Sequence, residues 1–209
     1  MATAEIGEKL KYEKTKSVAY QNLGEVYLAM NKLDSALMYE QKDFEICKQI
    51  GFYDFFGYTL LTLGGIHGKM GNTTLAVSYF DMAIQEGLKR KSTKQLNWTY
   101  TAKAQFFASI SQMDSSNVYS KKALSAVANT GFSNYNLSPA KLLLENYRNS
   151  NADSAFKHSE IYRIANDSLF SIKTIQQTQL MTFENEKKQQ EIVKEKLEAQ
   201  EQQNQNLQY

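Results

Sequence analysis

The chain has 209 residues, with 24 Lys and Arg against 22 Asp and Glu and a net charge of only +2, so it lacks the basic excess typical of nucleic-acid-binding proteins. One cysteine and two histidines are too few for an internal disulfide or a recognisable metal cluster. No apolar run reaches the roughly 18 residues of a membrane span, and a single proline with ten glycines favours helices over hairpins.

The first predicted element covers residues 1–13. By the forty-residue interval that the following segments establish, "MATAEIGEKL" aligns with the second helix of a preceding repeat, and we expect this helix to end at Lys11. It would be either an N-terminal cap or the start of a fragment from a longer protein. The fragment is favoured because Met1 is not followed by the polar composition of a cap.

Two stretches of the chain repeat one phrase at an interval of forty residues. "YQNLGEVYLAMNKLDSALMYEQ" and "LLTLGGIHGKMGNTTLAVSYFD" both carry Leu-Gly at the same point and Ala twelve residues after that glycine. Steps of forty from Gly24 reach Gly64, Ala104 and Leu144. The residues three positions after these markers are Tyr27, His67, Phe107 and Tyr147. This spacing predicts that each copy begins with an amphipathic helix, whose small marker lets a neighbouring helix approach closely.

A second helix is expected after a polar turn in each copy. Asp34, Asp114 and Asp153 are expected to cap the open backbone N–H groups at its start. Small residues and then rings recur along it, at Ala36, Ala76, Ser116 and Ala155, followed three positions on by Tyr39, Tyr79, Tyr119 and His158. In the fourth copy the turn is one residue shorter. Gly51 and Gly131 are expected to end two of these helices.

A single helix pair cannot bury its apolar face alone, so the copies are expected to stack into one array spanning residues 1–165. Gly64 and Ala76 should lie at helix crossings within it. After the half repeat at 1–13, the predicted repeats cover residues 17–52, 57–92, 97–132 and 137–165.

This pattern resembles the tetratricopeptide repeat, with "YQNLGEVY" and "LLTLGGIH" as its first helix and "DSALMY" and "TLAVSYFDMAI" as its second. The match covers Tyr20 to about Tyr162. It departs from the family at Lys103, where Leu is expected, at Leu144, which replaces Gly, and in its period of forty rather than roughly 34. The resemblance implies an all-α fold, a right-handed α-solenoid of stacked helix-turn-helix repeats with a long C-terminal helix. It also implies a non-enzymatic module that binds a peptide or protein segment.

In this family the first helices line a concave groove, and the resemblance implies three groove-facing positions in each copy. These are Gln21, Asn22 and Glu25; Tyr58, Thr62 and Lys69; Trp98, Thr101 and Gln105; and Lys141, Glu145 and Arg148. Trp98 would be an aromatic anchor for a partner or, alternatively, would pack at a helix start. Only Asn22 and Lys141 match the clamp that some relatives use for a peptide carboxylate, so no clamp is predicted.

From Asn166 to the end the sequence has no glycine or proline and is rich in Gln, Glu and Lys, which predicts a long helix over 166–209. Apolar residues in its first half, ending at Phe183, are expected to cap the last repeat. Beyond Glu184 the apolar residues are sparse. That half is expected to be either a solvated helix or a connector that forms a weak parallel homodimer.

The segment "DSLFSIKTIQQTQLMTFENEKKQQEI" also resembles the connector of Bacteroidetes-type signalling proteins. In those proteins a tetratricopeptide sensor region leads to a membrane helix and then to a histidine-kinase or DNA-binding domain. The resemblance implies the sensory or scaffold part of a signal-transduction protein, membrane-attached and outside the cytosol. The alternative is a free-standing cytoplasmic adaptor.

Catalytic chemistry has no clear candidate in the sequence. His67 and His158 occupy positions that hold aromatic residues in other copies, and Cys47 lies on a second helix as a small apolar residue. "GGIHGKMGN" lacks the spacing of a phosphate-binding loop. No catalytic, metal or cofactor site is therefore predicted, and an enzyme with an unrecognised site is the remote alternative.

Overall fold

The computed structural model describes residues 2–128, 130–131 and 133–206. Within the predicted segments, positions 1, 129, 132 and 207–209 lie outside the described residues. The helices are α1 (Ala2–Ala29), α2 (Leu33–Ile50), α3 (Tyr53–Lys69), α4 (Thr73–Lys89), α5 (Thr93–Ser109), α6 (Met113–Ala126), α7 (Leu137–Tyr147) and α8 (Ala152–Asn206), with a 3₁₀ turn at Ser133–Asn136 before α7. The described part of the chain contains no strand, which confirms the predicted all-α class.

Residues 1–165 form one compact unit, in which the helices pack in consecutive pairs. The helices α1, α3, α5 and α7 also form a continuous row, because each contacts the next member of that row. In contrast, among the described residues no Cα of α4 lies within 8 Å of α2 or α6. The first helices therefore share one wall, as expected for the predicted solenoid of helix pairs.

A stacked ring pair joins the two helices of every pair. The ring centroids are 5.4 Å apart for Tyr27–Tyr39, 5.3 Å for His67–Tyr79, 5.5 Å for Phe107–Tyr119 and 5.7 Å for Tyr147–His158. The rings are nearly parallel, with interplanar angles between 1° and 16°. Each such contact contributes about 0.5–1.5 kcal/mol beyond its buried area. The predicted register, including the shorter fourth turn, is therefore confirmed at these positions.

The marker glycines lie at helix crossings. A Cβ atom at Gly64 would lie only 2.8 Å from the ring of Phe80 on α4. Ala76 is fully buried in one cluster with Phe80 and Phe106. Both Gly64 and Ala76 thus occupy the tight positions that the repeat predicts.

The predicted helix end at Lys11 is wrong, because α1 continues without a break from Ala2 to Ala29. The physical reason is that residues 8–23 contain no glycine or proline to interrupt the helix. The N-terminal segment is therefore part of the first helix of copy one.

The predicted aspartate caps are also wrong. Neither α2 nor α6 has a side-chain cap, and Asp34 and Asp114 lie inside the first turn, where a negative charge favours the helix dipole. At the start of α8, Asn151 Oδ1 accepts a bond of 2.8 Å from the backbone N–H of Ser154. The cap is thus the residue two positions before Asp153.

Of the two predicted stop glycines, only Gly51 ends its helix. It closes α2 in the left-handed conformation with φ of 65°. The helix α6 already ends at Ala126. Just after this end, the hydroxyl of Thr130 donates to the carbonyl oxygen of Val127 at 2.7 Å and satisfies one of the open acceptors. Gly131 lies beyond the helix end, in the following turn.

Residues 166–209 form a second compact unit, which is helical as far as Asn206. Most of its described apolar side chains are exposed, including Phe170, Ile175, Leu180 and Phe183. The capping role of its first half and the dimer through its second half stay predictions. In the part of the chain that the structure describes, every helix is too short or too polar to cross a membrane.

Candidate functional site

The first helices enclose an apolar groove with a volume of about 780 Å³. This size falls within the range of known ligand sites, roughly 300–1,000 Å³. α1, α3 and α5 supply nearly all of its lining, and Phe80 of α4 also lines it. The lining residues are Glu25, Leu28, Ala29, Leu61, Thr62, Gly65, Gly68, Lys69, Phe80, Ala102, Gln105, Phe106, Ser109 and Ile110.

Gly65 lies on the middle helix of this groove and has no packing reason to be a glycine. At the other three glycines of α3, an added Cβ would overlap Gln95 (Gly57), Phe80 (Gly64) or Phe106 (Gly68). At Gly65 a Cβ would meet only the Cδ2 atom of Leu28, at an ordinary contact distance of 3.7 Å. The backbone is therefore left bare on the groove side, where another chain could approach it.

Two polar residues stand at the equivalent position on either side of Gly65. Glu25 on α1 and Gln105 on α5 are each forty residues from it, so successive repeats present Glu, Gly and Gln at this level. Both side chains are exposed. A segment that crosses Gly65 would have a carboxyl group on one wall and an amide on the other, and both can bond to a peptide backbone.

The polar groups of the α1 wall are held by short contacts. Gln21 is buried and its amide donates to the Glu25 carboxyl at 2.9 Å. Although the Glu25 side chain is exposed in part, its carboxyl group is partly desolvated, which raises its pKa, and the Gln21 hydrogen bond opposes that shift. The ammonium group of Lys69 donates to the carbonyl oxygen of Leu28 at 3.2 Å and so ties the end of α3 to α1.

An aromatic row lies one helical turn from the groove. Trp98 is 5.4 Å from Tyr58 and 5.8 Å from Tyr135, measured between ring centroids, and the ammonium group of Lys94 lies 4.6 Å from the Trp98 ring. Thr62, which lines the groove, donates its hydroxyl to the carbonyl oxygen of Tyr58 at 3.1 Å. Trp98 still exposes 37 % of its surface, so it both packs against neighbouring rings and presents a face outward.

The structure brings together four of the twelve predicted groove residues, namely Glu25, Thr62, Lys69 and Gln105. Tyr58 and Trp98 meet in the aromatic row.

The remaining six predicted residues do not line the groove. On α7, Lys141 and Glu145 form an exposed ion pair of 3.8 Å. The other four are the buried Gln21, the exposed Asn22 and Arg148, and the half-buried Thr101.

Sequence reasoning missed the apolar lining of the groove and the two residues, one aromatic and one basic, that pack on Trp98 in the aromatic row. Leu61, Phe106 and Ile110 line the groove beside Gly65, and Tyr135 and Lys94 complete the row. The adjacent glycines at positions 64 and 65 did carry a signal in the sequence. The repeat needs one small residue, at position 64, and so gives no structural reason for the glycine at position 65.

The histidines and the cysteine have structural roles. His67 and His158 are buried and stack on tyrosines, and burial lowers the pKa of both. Burial also raises the pKa of the Cys47 thiol to about 11, which disfavours the thiolate that a nucleophile needs. Among the described residues, no group of three His, Cys, Asp or Glu side chains is arranged to hold a metal ion.

No protein-family model matches the chain, and no curated protein matches it significantly.

Proposed function

We propose that the helix pairs form a non-enzymatic interaction module of tetratricopeptide type, whose groove binds a segment of a partner protein. The observation that carries this proposal is the bare backbone at Gly65 in the middle of an apolar groove. Glycine inside an exposed helix costs about 0.5–1 kcal/mol relative to alanine. Binding of another chain at this position would explain why the helix has a glycine there despite that cost.

The partner segment crosses α3 at Gly65 and places apolar side chains between Leu61, Phe106 and Ile110. Its backbone bonds to Glu25 on one wall and Gln105 on the other. The apolar lining supplies most of the affinity, since apolar burial contributes about 25 cal/mol per Å² before the costs of association. Trp98 at the edge of the groove provides a rigid aromatic contact for a residue further along the segment.

The module is proposed to be the sensory or scaffold part of a signal-transduction protein. The support for this step is the resemblance of residues 167–192 to a signalling connector. Binding of a segment in the groove would change the arrangement of the array only if that segment binds two such arrangements with different affinities.

The groove is tested by selecting peptides from a random library on the wild-type chain and measuring each on variants by fluorescence anisotropy. Gly65→Leu fills the groove and should weaken the selected peptides by about tenfold or more, equivalent to ~1.4 kcal/mol. Glu25→Ala and Gln105→Ala should each weaken them less. Gly7→Leu is the matched control, because Gly7 is exposed on α1 with no atom within 4 Å of an added Cβ. Peptides that bind Gly65→Leu as well as the wild type would contradict the proposed site.

A further inference from the structure

Glu40 is a buried acid without a hydrogen-bond partner. Its side chain is fully buried on α2, and among the described residues neither carboxyl oxygen has a partner. The carboxyl group occupies the space in which Gly24 of α1 would carry a Cβ atom. It therefore lies at the crossing of the two helices.

The same crossing is uncharged in the next two repeats. Forty residues on, the two positions hold Gly64 and Phe80, and the ring of Phe80 fills the space over the glycine. Another forty residues on, they hold Ala104 and Ser120, both buried. Copy one thus places an ionisable group at a position that copies two and three fill with a ring or a small hydroxyl.

The charged groups that face Glu40 are themselves acidic. They are Glu25 on α1 and Asp43 one turn along α2. From α3 the uncharged hydroxyl of Thr59 reaches this cluster and donates to Asp43 at 2.6 Å. Burial first, and then the charges of Asp43 and Glu25, raise the pKa of Glu40 to about 9.

We infer that the packing of α1 on α2 is a proton-dependent joint, closed while Glu40 is protonated and weakened when Glu40 ionises. An ionised carboxylate at this crossing would be buried without a cation or a donor, which is strongly unfavourable. The helices relieve that cost by separating and admitting water.

Opening of the joint would also disturb the groove, because Glu25 follows Gly24 directly and forms part of the α1 wall. Ligand binding would then weaken as pH rises. This consequence rests on the proposed function, whereas the joint does not, so the stability test below and a binding test can fail separately.

The experiment measures urea unfolding of the full chain as a function of pH. The folded pKa of Glu40 lies above its ordinary value of 4.5. The stability that this group contributes is therefore fully present below pH 4.5 and is lost as pH rises towards about 9. Between these two pH values the unfolded wild type binds one proton fewer at residue 40 than the folded wild type does. The ratio of the wild-type unfolding constant to that of Glu40→Gln should therefore rise about tenfold per pH unit.

Glu45→Gln is the matched control, an exposed acid on the same helix, and should follow the wild type. Glu40→Phe, which copies Phe80, is the second variant in case Glu40→Gln does not fold. It should fold and should lose the same pH dependence. Parallel pH profiles for the wild type and the Glu40 variants would overturn the joint. So would a carbon-13 titration of the Glu40 carboxyl in the wild type with a midpoint near 4.5.

Discussion

Lys103 of α5 and Asp81 of α4 form an ion pair in which the two partners are unequally buried. Their Nζ and Oδ1 atoms are 2.5 Å apart, and the lysine side chain is 2 % exposed whereas the aspartate side chain is 53 % exposed. The same ammonium group lies 4.5 Å from the ring of Tyr119. Lys103 stands where the other copies have leucine, and its charge is thus balanced by a carboxylate on the neighbouring helix.

The pair predicts unequal effects from removing either partner. Asp81→Asn leaves a buried ammonium without its counter-charge and should cost about 1–3 kcal/mol of the free energy of unfolding. Lys103→Leu restores the apolar residue of the repeat and should stay within about 1 kcal/mol of the wild type or exceed it. Urea unfolding measures both. Glu145→Gln, which breaks the exposed Lys141 pair, is the control and should change stability by less than about 0.5 kcal/mol. Equal losses for Asp81→Asn and this control would contradict the burial argument.

Adjacent glycines on α3 should respond to alanine with opposite signs. Gly64→Ala pushes a methyl group against the buried Phe80 ring and should cost about 1–3 kcal/mol. Gly65→Ala makes only an ordinary contact and should gain up to about 1 kcal/mol from helix propensity. Thermal unfolding of the two variants is the measurement. A loss at residue 65 as large as that at residue 64 would show that Gly65 packs against the array and does not face an open groove.

These two glycines also show where sequence reasoning stops. The forty-residue repeat was sufficient to predict the helix pairs and the positions of the rings on them. That these rings stack on one another across each pair is seen only in the structure. The repeat placed Gly64 at a helix crossing but assigned no role to Gly65 in the same helix. Their roles depend on what a different helix places opposite each of them, the ring of Phe80 in one case and only the Cδ2 atom of Leu28, at 3.7 Å, in the other.

The fourth copy shows a second limit. Steps of forty place Lys141, Glu145 and Arg148 level with the groove residues of earlier copies. A 3₁₀ turn at Ser133–Asn136 precedes α7, and this helix has 11 residues where α3 and α5 each have 17. A shorter helix after a different turn need not present the same face, and none of the three residues lines the groove.

Acid should weaken the array at its two histidines. Burial lowers the pKa of His67 and, with the charges of Lys157 and Lys121, that of His158, although the carbonyl oxygen of Ser154 opposes the shift at His158. The stability that the two neutral histidines contribute is therefore fully present above pH 6.5, the ordinary pKa of histidine. It is lost as pH falls through their lower pKa values in the folded state.

The test replaces His67 by Phe, the residue at the equivalent position of copy three. His67→Phe should be less sensitive to acid than the wild type when unfolding is followed from neutral pH downward. His158→Tyr, which copies Tyr119, should act in the same direction. A wild type and a double variant with identical acid profiles would exclude the histidines as the cause.

The last prediction concerns self-association through the C-terminal helix. Val193 and Leu197 are four residues apart on α8 and are 64 % and 57 % exposed, so they form a small apolar edge on one face. Two such edges can pair in a parallel dimer, but with few apolar residues the affinity should be low. We expect sedimentation to show a dimer of the full chain at about 100 μM, where mass action favours weak association, and a monomer for a chain ending at Glu184. Leu197→Glu should also be monomeric, because it places a charge on the apolar edge. Lys196→Glu makes a larger change of charge beside that edge and should still dimerise. A monomeric full chain at this concentration would remove the reason for assigning self-association to the helix, and a dimer that survives Leu197→Glu would place the contact elsewhere.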